Sequence, residues 1–414
     1  MRALQAGAQA GRWRMALPGR ALVVALLALA AACAPRPVPP PPPPPPPVEE
    51  KPAEKPIPPE AFHRVAILAP LTGSNAPVGQ SLANAANLAI ADTGARGIRL
   101  TSYDTAAGGA AAAASRALAD GAGLILGPLL AADTAAARAA AEAAGVPLLS
   151  FSNDAALASG GVFVLGFQPD QSVARIVEHA RARGARRFAA LVPQGVYGQR
   201  ASVAFTRSVE AHGGQVVAIT PFARDRAQLP AAARRVTDYD LRLQRATKGE
   251  GGTAQLAPPA FEALLIADSG MIAAAFTPAL ARFGAPPGAY LLMGTELWAT
   301  EAGLMRVPAM HGAQFAAVSD ERFRQLAARY EQRFGGRPSR LASLAYDAML
   351  LAIAKAEHWE VGKPFPRALL LDPKGFVGID GIFRFRGNIA ERGLEVREVR
   401  AQGFVTAAPA PRQF

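Results

Sequence analysis

The side chains that could perform chemistry in this 414-residue chain are few and scattered. Its single cysteine, Cys33, excludes a disulfide framework, an iron–sulfur cluster and any multi-cysteine metal site. The sequence contains no Gly-x-Ser-x-Gly elbow, no His-Glu-x-x-His motif and no Walker-type loop. The five histidines lack the paired spacing of a metal centre: His63, His179, His212, His311 and His358. We therefore predict a binding protein rather than an enzyme, with no cofactor and no metal.

Cys33 follows a hydrophobic leader. Four arginines and no acidic residue precede an apolar run, residues 21–32, which is too short to span a bilayer core of about 30 Å with margin and suits a signal peptide. Residues 30–32 resemble the lipobox of bacterial lipoproteins, in which the following cysteine is acylated and becomes the first residue after cleavage. We expect residues 1–32 to be a lipoprotein signal peptide and Cys33 to carry a lipid anchor. An ordinary cleaved signal and an N-terminal anchor helix are the alternatives.

The charge balance is mildly basic. The chain has 44 Lys+Arg against 32 Asp+Glu, a formal charge of +12, which falls to +8 once the four leader arginines are removed. No run of five or six basic residues occurs, and the arginines alternate with alanines and acids as on solvated helix faces. We predict no nucleic-acid partner and contact with the membrane through the lipid anchor.

Residues 33–60 are rich in proline, with nine consecutive prolines at positions 39–47. Proline fixes φ and lacks the N–H donor, so this segment can join neither a helix nor a sheet. As a polyproline-II rod rising about 3.1 Å per residue, residues 35–59 would extend to about 75 Å. We interpret the segment as a tether that holds a folded domain away from a membrane. A spacer of unselected length and a docking strip for an aromatic groove are the alternatives.

After the tether, short apolar strands alternate with helical segments at intervals of about 25 to 30 residues. The predicted elements include strands at residues 98–104 and 215–222 and a helix at residues 321–334. Half of all residues are apolar, which is enough for a substantial core. Predicted strands at residues 64–70 and 124–127 are continuously apolar, as in strands covered on both faces by helices. We predict an α/β fold built of two doubly wound lobes with a cleft between them.

The predicted domain limits follow from this alternation, which restarts after residues 167–170 and is interrupted by a polar insertion at residues 238–259. We expect the second half of this insertion to be mobile and on the surface. We place the crossovers between the lobes near Gln168, Gly294 and Gly375. We assign residues 61–405 to the folded domain, with lobe I at about 61–168 and 295–375, lobe II at about 169–294 and 376–405, and a flexible tail at 406–414.

Four segments in order resemble the type I periplasmic binding fold of the leucine/isoleucine/valine receptors. They are LAPLTGSNAPVGQSLANAANLAI, LILGPLLAADTAAARAAAEAAGVPLLSFSND, SLAYDAMLLAI and GIDGIFRFRGN. The resemblance covers residues 62–405. It implies that a ligand would sit between the lobes at the carboxyl ends of the strands, where helix N-termini also offer unpaired N–H groups.

Receptors of this class hold the ligand carboxylate with hydroxyl groups and helix N-termini, and the ammonium with an acid and aromatic side chains. Here Leu129 stands where the first hydroxyl is expected. Asp154 stands where a threonine is common, and it would repel a carboxylate by about 1 kcal/mol or more. These two departures argue against a free amino-acid ligand.

Other positions keep the polar character of a cleft. Tyr197 matches a frequent cleft aromatic, and Asp268 follows a predicted strand. Structural roles are the alternatives: helix or turn caps for Ser152, Asn153 and Asp268, and packing for Tyr197. The residues that we predict to line the cleft, for a ligand or a partner, are Thr72, Gly73, Ser74, Asp104, Leu129, Ser152, Asn153, Asp154, Tyr197, Asp268 and Glu296.

The anchor, tether and altered cleft together resemble the outer-membrane lipoproteins that activate penicillin-binding proteins, whose C-terminal domain has the same fold. Those proteins usually carry a helical-repeat domain between anchor and binding fold, where this chain has only the tether. The resemblance implies a periplasmic lipoprotein, more often at the outer than the inner membrane, that binds a peptidoglycan synthase. The alternative is a lipoprotein receptor that delivers amino acids or related small molecules to an ABC importer.

Overall fold

The computed structural model describes residues 62–248 and 254–414, so Cys33, the leader and the tether lie outside the described residues. The strands of the described part alternate with helices along the chain, as the apolar pattern predicts. The strands are β1 (His63–Ala69), β2 (Ile98–Asp104), β3 (Leu124–Leu126), β4 (Leu148–Ser150), β5 (Val162–Val164), β6 (Arg187–Pro193), β7 (Gln215–Phe222), β8 (Thr247–Lys248), β9 (Ala254–Gln255), β10 (Ala263–Ile266), β11 (Leu291–Gly294), β12 (Gln314–Ala317), β13 (Phe376–Gly378), β14 (Gly381–Arg386), β15 (Ile389–Arg392), β16 (Glu395–Arg400) and β17 (Gly403–Ala408).

The helices begin and end at residues that favour those positions. The first has Pro77 in its first turn and stops at Gly94, whose φ of 63° is the left-handed conformation that glycine adopts most easily. The helices are α1 (Ala76–Thr93), α2 (Ala110–Ala119), α3 (Ala131–Ala143), α4 (Pro169–Ala182), α5 (Val196–Ala211), α6 (Leu229–Val236), α7 (Tyr239–Gln244), α8 (Gly270–Arg282), α9 (Glu321–Phe334) and α10 (Ala342–Ala354). None of the described helices is both long and apolar enough to cross a membrane.

Two mixed sheets form the two lobes. The first has the order β13-β14-β15-β5-β4-β3-β1-β2, and the second has the order β17-β16-β12-β11-β10-β6-β7. In both, the central strands run parallel and antiparallel hairpins complete one edge. This confirms the α/β fold with two doubly wound lobes.

Helices cover both faces of each sheet, which explains why the central strands are apolar along their whole length. In β1, Val65 and Ile67 pack into one buried cluster while Ala66 and Leu68 pack into another on the opposite face. The second sheet has the same arrangement, with separate buried clusters on its two faces. Each lobe therefore has three layers, and the strand ends are left to form the cleft.

The lobe limits predicted from the sequence need correction. Strand β12, expected in lobe I, belongs to the second sheet, while β13, β14 and β15, expected in lobe II, belong to the first. The chain passes between the sheets at residues 165–168, 318–320 and 393–394, which we call the first, second and third crossovers. Gln168 lies in the first crossover, but Gly294 ends β11 and Gly375 precedes β13, so both lie inside lobes. A crossover as short as two residues leaves no compositional mark.

The tail and the insertion are also more ordered than predicted. Residues 406–408 belong to β17, and the Pro409 carbonyl accepts a hydrogen bond from Arg175 at 3.3 Å. The terminal Phe414 ring lies 4.4 Å from the guanidinium carbon of Arg384. Within the insertion, α7 is followed by the two-stranded pair β8–β9, and residues 249–253 between these strands lie outside the described residues.

Candidate functional site

The carboxyl ends of the two sheets face each other across the cleft. Asp154 follows β4 of the first sheet and Arg200 lies in α5, which follows β6 of the second. The Arg200 Nη2 atom lies 2.8 Å from Asp154 Oδ1, so an ion pair joins the lobes at the cleft. Asp154 also accepts a hydrogen bond from the Ala156 N–H at 3.1 Å and caps a short 3₁₀ turn. The departure at position 154 thus links the lobes.

The first predicted loop is held by Asp104. Thr72 Oγ1 donates to Asp104 Oδ2 at 2.6 Å, and the N–H groups of Leu71 and Ala106 donate to Oδ1 at 2.9 Å each. These donors, the Thr72 hydroxyl above all, lower the pKa of the Asp104 carboxyl below its ordinary value. The structure brings Thr72 and Asp104 together, with the exposed Gly73 and Ser74 beside them, and the Asp104 carboxylate fastens the loop.

The loops after β3 and β4 are likewise bonded internally. Leu129 packs against the core of the first lobe, where the receptor class carries a hydroxyl. The buried Ser150 hydroxyl bonds with Thr134 Oγ1 at 2.7 Å and accepts from the Ser152 N–H at 3.1 Å. Ser152 Oγ in turn accepts from the Asp154 N–H at 3.1 Å, the capping role proposed as its alternative. Asn153 is exposed.

In the second lobe, the predicted cleft residues follow three neighbouring strands. The Tyr197 hydroxyl lies 3.2 Å from Thr295 Oγ1, and burial together with the nearby Glu296 carboxyl raises the Tyr197 pKa. The buried Asp268 accepts from Arg224 Nε and from the Ser269 N–H, both at 2.7 Å. Asp268 is therefore ion-paired, and it does not cap α8.

Two other residues cap α8. Ser269 Oγ accepts from the Ile272 N–H at 3.3 Å, and the Glu301 carboxylate accepts from the N–H groups of Gly270 at 3.1 Å and Met271 at 2.7 Å. Glu301 is a site residue that sequence reasoning missed, because it lies 31 residues after Gly270, the first residue of the helix that it caps. It occupies a helix N-terminus that a ligand carboxylate would otherwise use.

Glu296 lies at the base of the cleft, beside the crossovers. Its carboxylate accepts a hydrogen bond from the Ser172 hydroxyl of α4. Burial, with a smaller contribution from the Asp170 carboxylate, raises the Glu296 pKa. A cavity of about 70 Å³, which we call the crossover cavity, adjoins this carboxyl. Its other polar lining residues are Gln168, Gln171, Ser172, Thr300, Arg340 and Arg392.

A chain of charged side chains, the crossover charge network, joins the lobes behind this cavity. Arg340, which precedes α10, lies 2.8 Å from Asp380 and 3.4 Å from Asp320 of the second crossover. Asp320 also forms an ion pair with Arg397 of β16. The network therefore runs from the first lobe through a crossover into the second lobe.

Asp347 of α10 ends this network inside the first lobe. It accepts from the N–H groups of Ile379 at 2.6 Å and Asp380 at 3.3 Å. Burial, and then repulsion by the Asp380 carboxylate, raises the pKa of Asp347 to about 7. The sequence shows Asp347 and Asp380 only as parts of the SLAYDAMLLAI and GIDGIFRFRGN segments, so their pairing could not be read from spacing.

Most of the polar residues predicted to line the cleft are bonded to other groups of the protein. In the described part of the chain, no group of three His, Cys, Asp or Glu side chains could hold a metal ion. The candidate residues form four sets: Thr72 with Asp104, Ser152 with Asp154, Tyr197 with Glu296, and Asp268 with Arg224. The first two belong to one lobe and the last two to the other, and only Asp154 reaches across.

Comparison with known proteins agrees with this architecture. Residues 63–390 match a family model described as periplasmic binding protein. An uncharacterized protein of Rickettsia prowazekii (strain Madrid E) is 32% identical over 139 residues, which cover 33% of this chain and 37% of that protein. The chain thus spans little more than a third of the length of that curated relative.

Solved structures show the same fold at low sequence identity. A putative branched-chain amino acid ABC transporter protein from Rhodospirillum rubrum has a TM-score of 0.67 and 21% identity, covering 83% of this chain and 99% of its own. Full-length LpoA from Haemophilus influenzae has a TM-score of 0.62 and 18% identity, covering 84% of this chain and 59% of its own. LivJ from Streptococcus pneumoniae, solved with isoleucine, has a TM-score of 0.54 and 20% identity, covering 84% and 100%. The chain belongs to the periplasmic binding protein family, which implies a location outside the cytoplasm.

Proposed function

We propose that this chain is a lipid-anchored periplasmic protein that binds and activates a penicillin-binding protein. Cys33 would carry the lipid anchor, with the outer membrane favoured over the inner membrane. Residues 33–60 would act as the tether. The two-lobed domain would contact the synthase. The role in peptidoglycan synthesis rests on the resemblance of anchor, tether and cleft to the activator lipoproteins.

The observation that carries this proposal is the internal pairing of the cleft. A receptor leaves polar groups for its ligand to satisfy, because a buried polar group without a partner costs about 1–3 kcal/mol. Here Asp104, Asp154 and Asp268 are each bonded to neighbouring protein groups. Glu301 occupies the N-terminus of α8. A cleft whose acidic groups are already bonded to the protein itself offers few polar groups to a polar solute.

A solute receptor for an ABC importer is the second candidate. It is favoured by Tyr197 and Glu296, an aromatic and an acid that lie near one another at the base of the cleft, as expected for groups that hold an ammonium. Against it stands Leu129, which replaces the expected hydroxyl and packs into the core.

The two candidates differ in what the full-length protein does to a purified synthase. We expect the lipidated chain to co-purify with a penicillin-binding protein after cross-linking in cell envelopes. We also expect it to raise the rate at which that synthase polymerises labelled lipid II in detergent. A Cys33→Ala variant should stimulate equally in detergent, because only its attachment to the membrane is lost.

A failure of stimulation would contradict the activator role. In that case the receptor candidate predicts a thermal shift with amino acids, since a ligand at 100 times its Kd adds about 2.7 kcal/mol to stability. A chain that neither stimulates a synthase nor shifts with amino acids, peptides or wall fragments would contradict both candidates.

A further inference from the structure

Helix α4 of the second lobe binds the backbone that leads from β15 of the first lobe into the third crossover. Gln171 Nε2 donates to the Ala390 carbonyl at 2.8 Å, and Gln171 Oε1 accepts from the Arg392 N–H at 3.0 Å. Arg175 Nε donates to the Leu394 carbonyl at 3.0 Å. Gln171 and Arg175 are four positions apart and therefore lie on the same face of the helix. The third crossover is thus fastened to the second lobe along one side of α4.

The tail, residues 409–414, contacts the same crossover. It follows β17 of the second sheet, and its Pro409 carbonyl accepts from Nη2 of Arg175 at 3.3 Å. The guanidinium that binds the crossover therefore also binds the tail. A Cβ added at Gly393 would lie 3.2 Å from both the Cγ atom and the carbonyl oxygen of Pro411. The tail thus lies directly against the backbone of the third crossover.

The tail then reaches the first lobe. The Phe414 ring lies 4.4 Å from the guanidinium carbon of Arg384 in β14. Arg384 is itself fixed to the first lobe, because its Nε donates to Glu391 of β15 at 2.7 Å. Residues 409–414 therefore run from the second sheet, over the third crossover, to the first sheet. They form a link between the lobes in addition to the three crossovers.

The contacts that hold the tail are few and lie at the surface. Pro409 and Pro411 are exposed, and Phe414 is 37% exposed, where a cation–π contact is weak. A groove of about 550 Å³, lined by α4, the third crossover and the tail, leaves the inner side of the tail only partly packed. Segments with few buried contacts open locally at a small cost in free energy. The tail can therefore detach while both lobes stay folded.

We propose that residues 409–414 form a strap that holds the third crossover against α4 and thereby restricts the movement of one lobe relative to the other. With the strap docked, the crossover is enclosed between α4 and the tail. With the strap detached, the crossover keeps only its bonds to α4, and the lobes can turn over a wider range. Docked and detached tails are then two states with different lobe mobility. The proposal does not depend on the activator role.

Hydrogen–deuterium exchange of the full-length chain in detergent tests the hold on the crossover. The Arg392 N–H donates to Gln171 of the second lobe at 3.0 Å. The neighbouring Gly393 N–H donates to the Ile382 carbonyl, also at 3.0 Å. We expect a chain shortened to end at Ala408 to exchange these two amides at least about threefold faster than wild type, because the crossover opens more often.

Two point variants refine this measurement. Phe414→Ala keeps both prolines of the tail and removes the contact with Arg384, so it should accelerate the same amides by a smaller factor. Gln413→Ala is the matched control. Gln413 is exposed and makes no hydrogen bond within residues 62–248 and 254–414, so its replacement should leave the exchange unchanged.

A second measurement separates a strap between the lobes from local packing of the tail. Fluorophores at the exposed positions Glu331 of α9 and Glu210 of α5, introduced as unnatural amino acids, report the distance between the lobes by single-molecule energy transfer. Wild type should give one narrow distribution, and the chain that ends at Ala408 should give a broader one. Circular dichroism checks the fold, and Phe414→Ala decides by the same measurements if the shortened chain does not fold. Identical distance distributions would overturn the proposal even where exchange is faster, and so would unchanged exchange.

Discussion

Replacing Asp347 with asparagine should change how the stability of this protein depends on pH. The Asp347 carboxyl is buried in the first lobe next to Asp380, and its pKa is raised from 3.8 to about 7 by burial and by that neighbour. Its folded pKa therefore lies above its unfolded one, and the folded chain holds the proton more tightly. Asparagine keeps the shape of the side chain and cannot ionise.

The size of the effect follows from the two pKa values. Ionising Asp347 in the folded chain costs about 4 kcal/mol more than in the unfolded chain. This cost is absent below about pH 4, grows as the pH rises from about 4 to about 7, and is constant above that. The N–H groups of Ile379 and Asp380 donate to different oxygens of Asp347, but asparagine has only one oxygen. One N–H group therefore loses its acceptor, which lowers the free energy of unfolding by about 1–3 kcal/mol at every pH. Asp347→Asn should thus be less stable than wild type at pH 4 and more stable at pH 8.

Urea denaturation at several pH values from 4 to 8 measures this crossing. The difference in unfolding free energy between wild type and Asp347→Asn should change by about 4 kcal/mol across the range. Thr134→Val is the control, because it removes a buried hydroxyl that bonds with Ser150 at 2.7 Å and changes no titratable group, so its difference from wild type should not depend on pH. Two parallel curves for wild type and Asp347→Asn would refute the assignment of a raised pKa to Asp347.

Three further predictions test the anchor and the packing. Cys33→Ala should move the protein from the membrane fraction to the soluble fraction and remove the acyl mass from intact-protein mass spectra; a wild-type chain without acyl groups would contradict the anchor. Trp298→Ala should lower the free energy of unfolding in urea by about 3–5 kcal/mol, because the indole is fully buried and donates to the Asp268 carbonyl at 3.0 Å; a loss below 1 kcal/mol would contradict this. Gly198→Ala should lower the free energy of unfolding by about 1–3 kcal/mol or prevent folding, because the added Cβ would lie 1.7 Å from the Pro193 carbonyl oxygen. Gly97→Ala is the control: its Cβ would meet no atom within 4 Å, and its free energy of unfolding should differ from wild type by less than about 0.5 kcal/mol.

Most elements of the two lobes could be predicted from the sequence, and several short strands could not. Helix α9 spans residues 321–334 as predicted, since Glu321 favours its start and Gly335 ends it. Strands β2 and β7 also have their predicted limits. Strands β5, β12 and β13 contain only three or four residues, too few for a periodic pattern, and were missed. The equally short β3 was predicted, because it lies between two clear helical segments.

The candidate site was predictable in its residues and not in their partners. Asp154 was found through the resemblance to the receptor class, and Asp268 because it follows an apolar strand, but their arginine partners lie 46 and 44 positions away in sequence. Arg392 carried no signal, because an arginine near the end of a strand is usually exposed and only the packing of Phe167 and Phe383 against it shows its burial. Contacts between distant segments arise from the fold and leave no trace in local spacing.

The two ionic links between the lobes differ in burial. Arg200 in the pair with Asp154 is about half exposed, so this pair contributes at most about 1 kcal/mol. The pairs of Arg340 with Asp380 and of Arg397 with Asp320 are mostly buried, so removing one partner leaves an uncompensated charge and is strongly destabilising. The crossover charge network is therefore the link whose loss would change the relation between the lobes most.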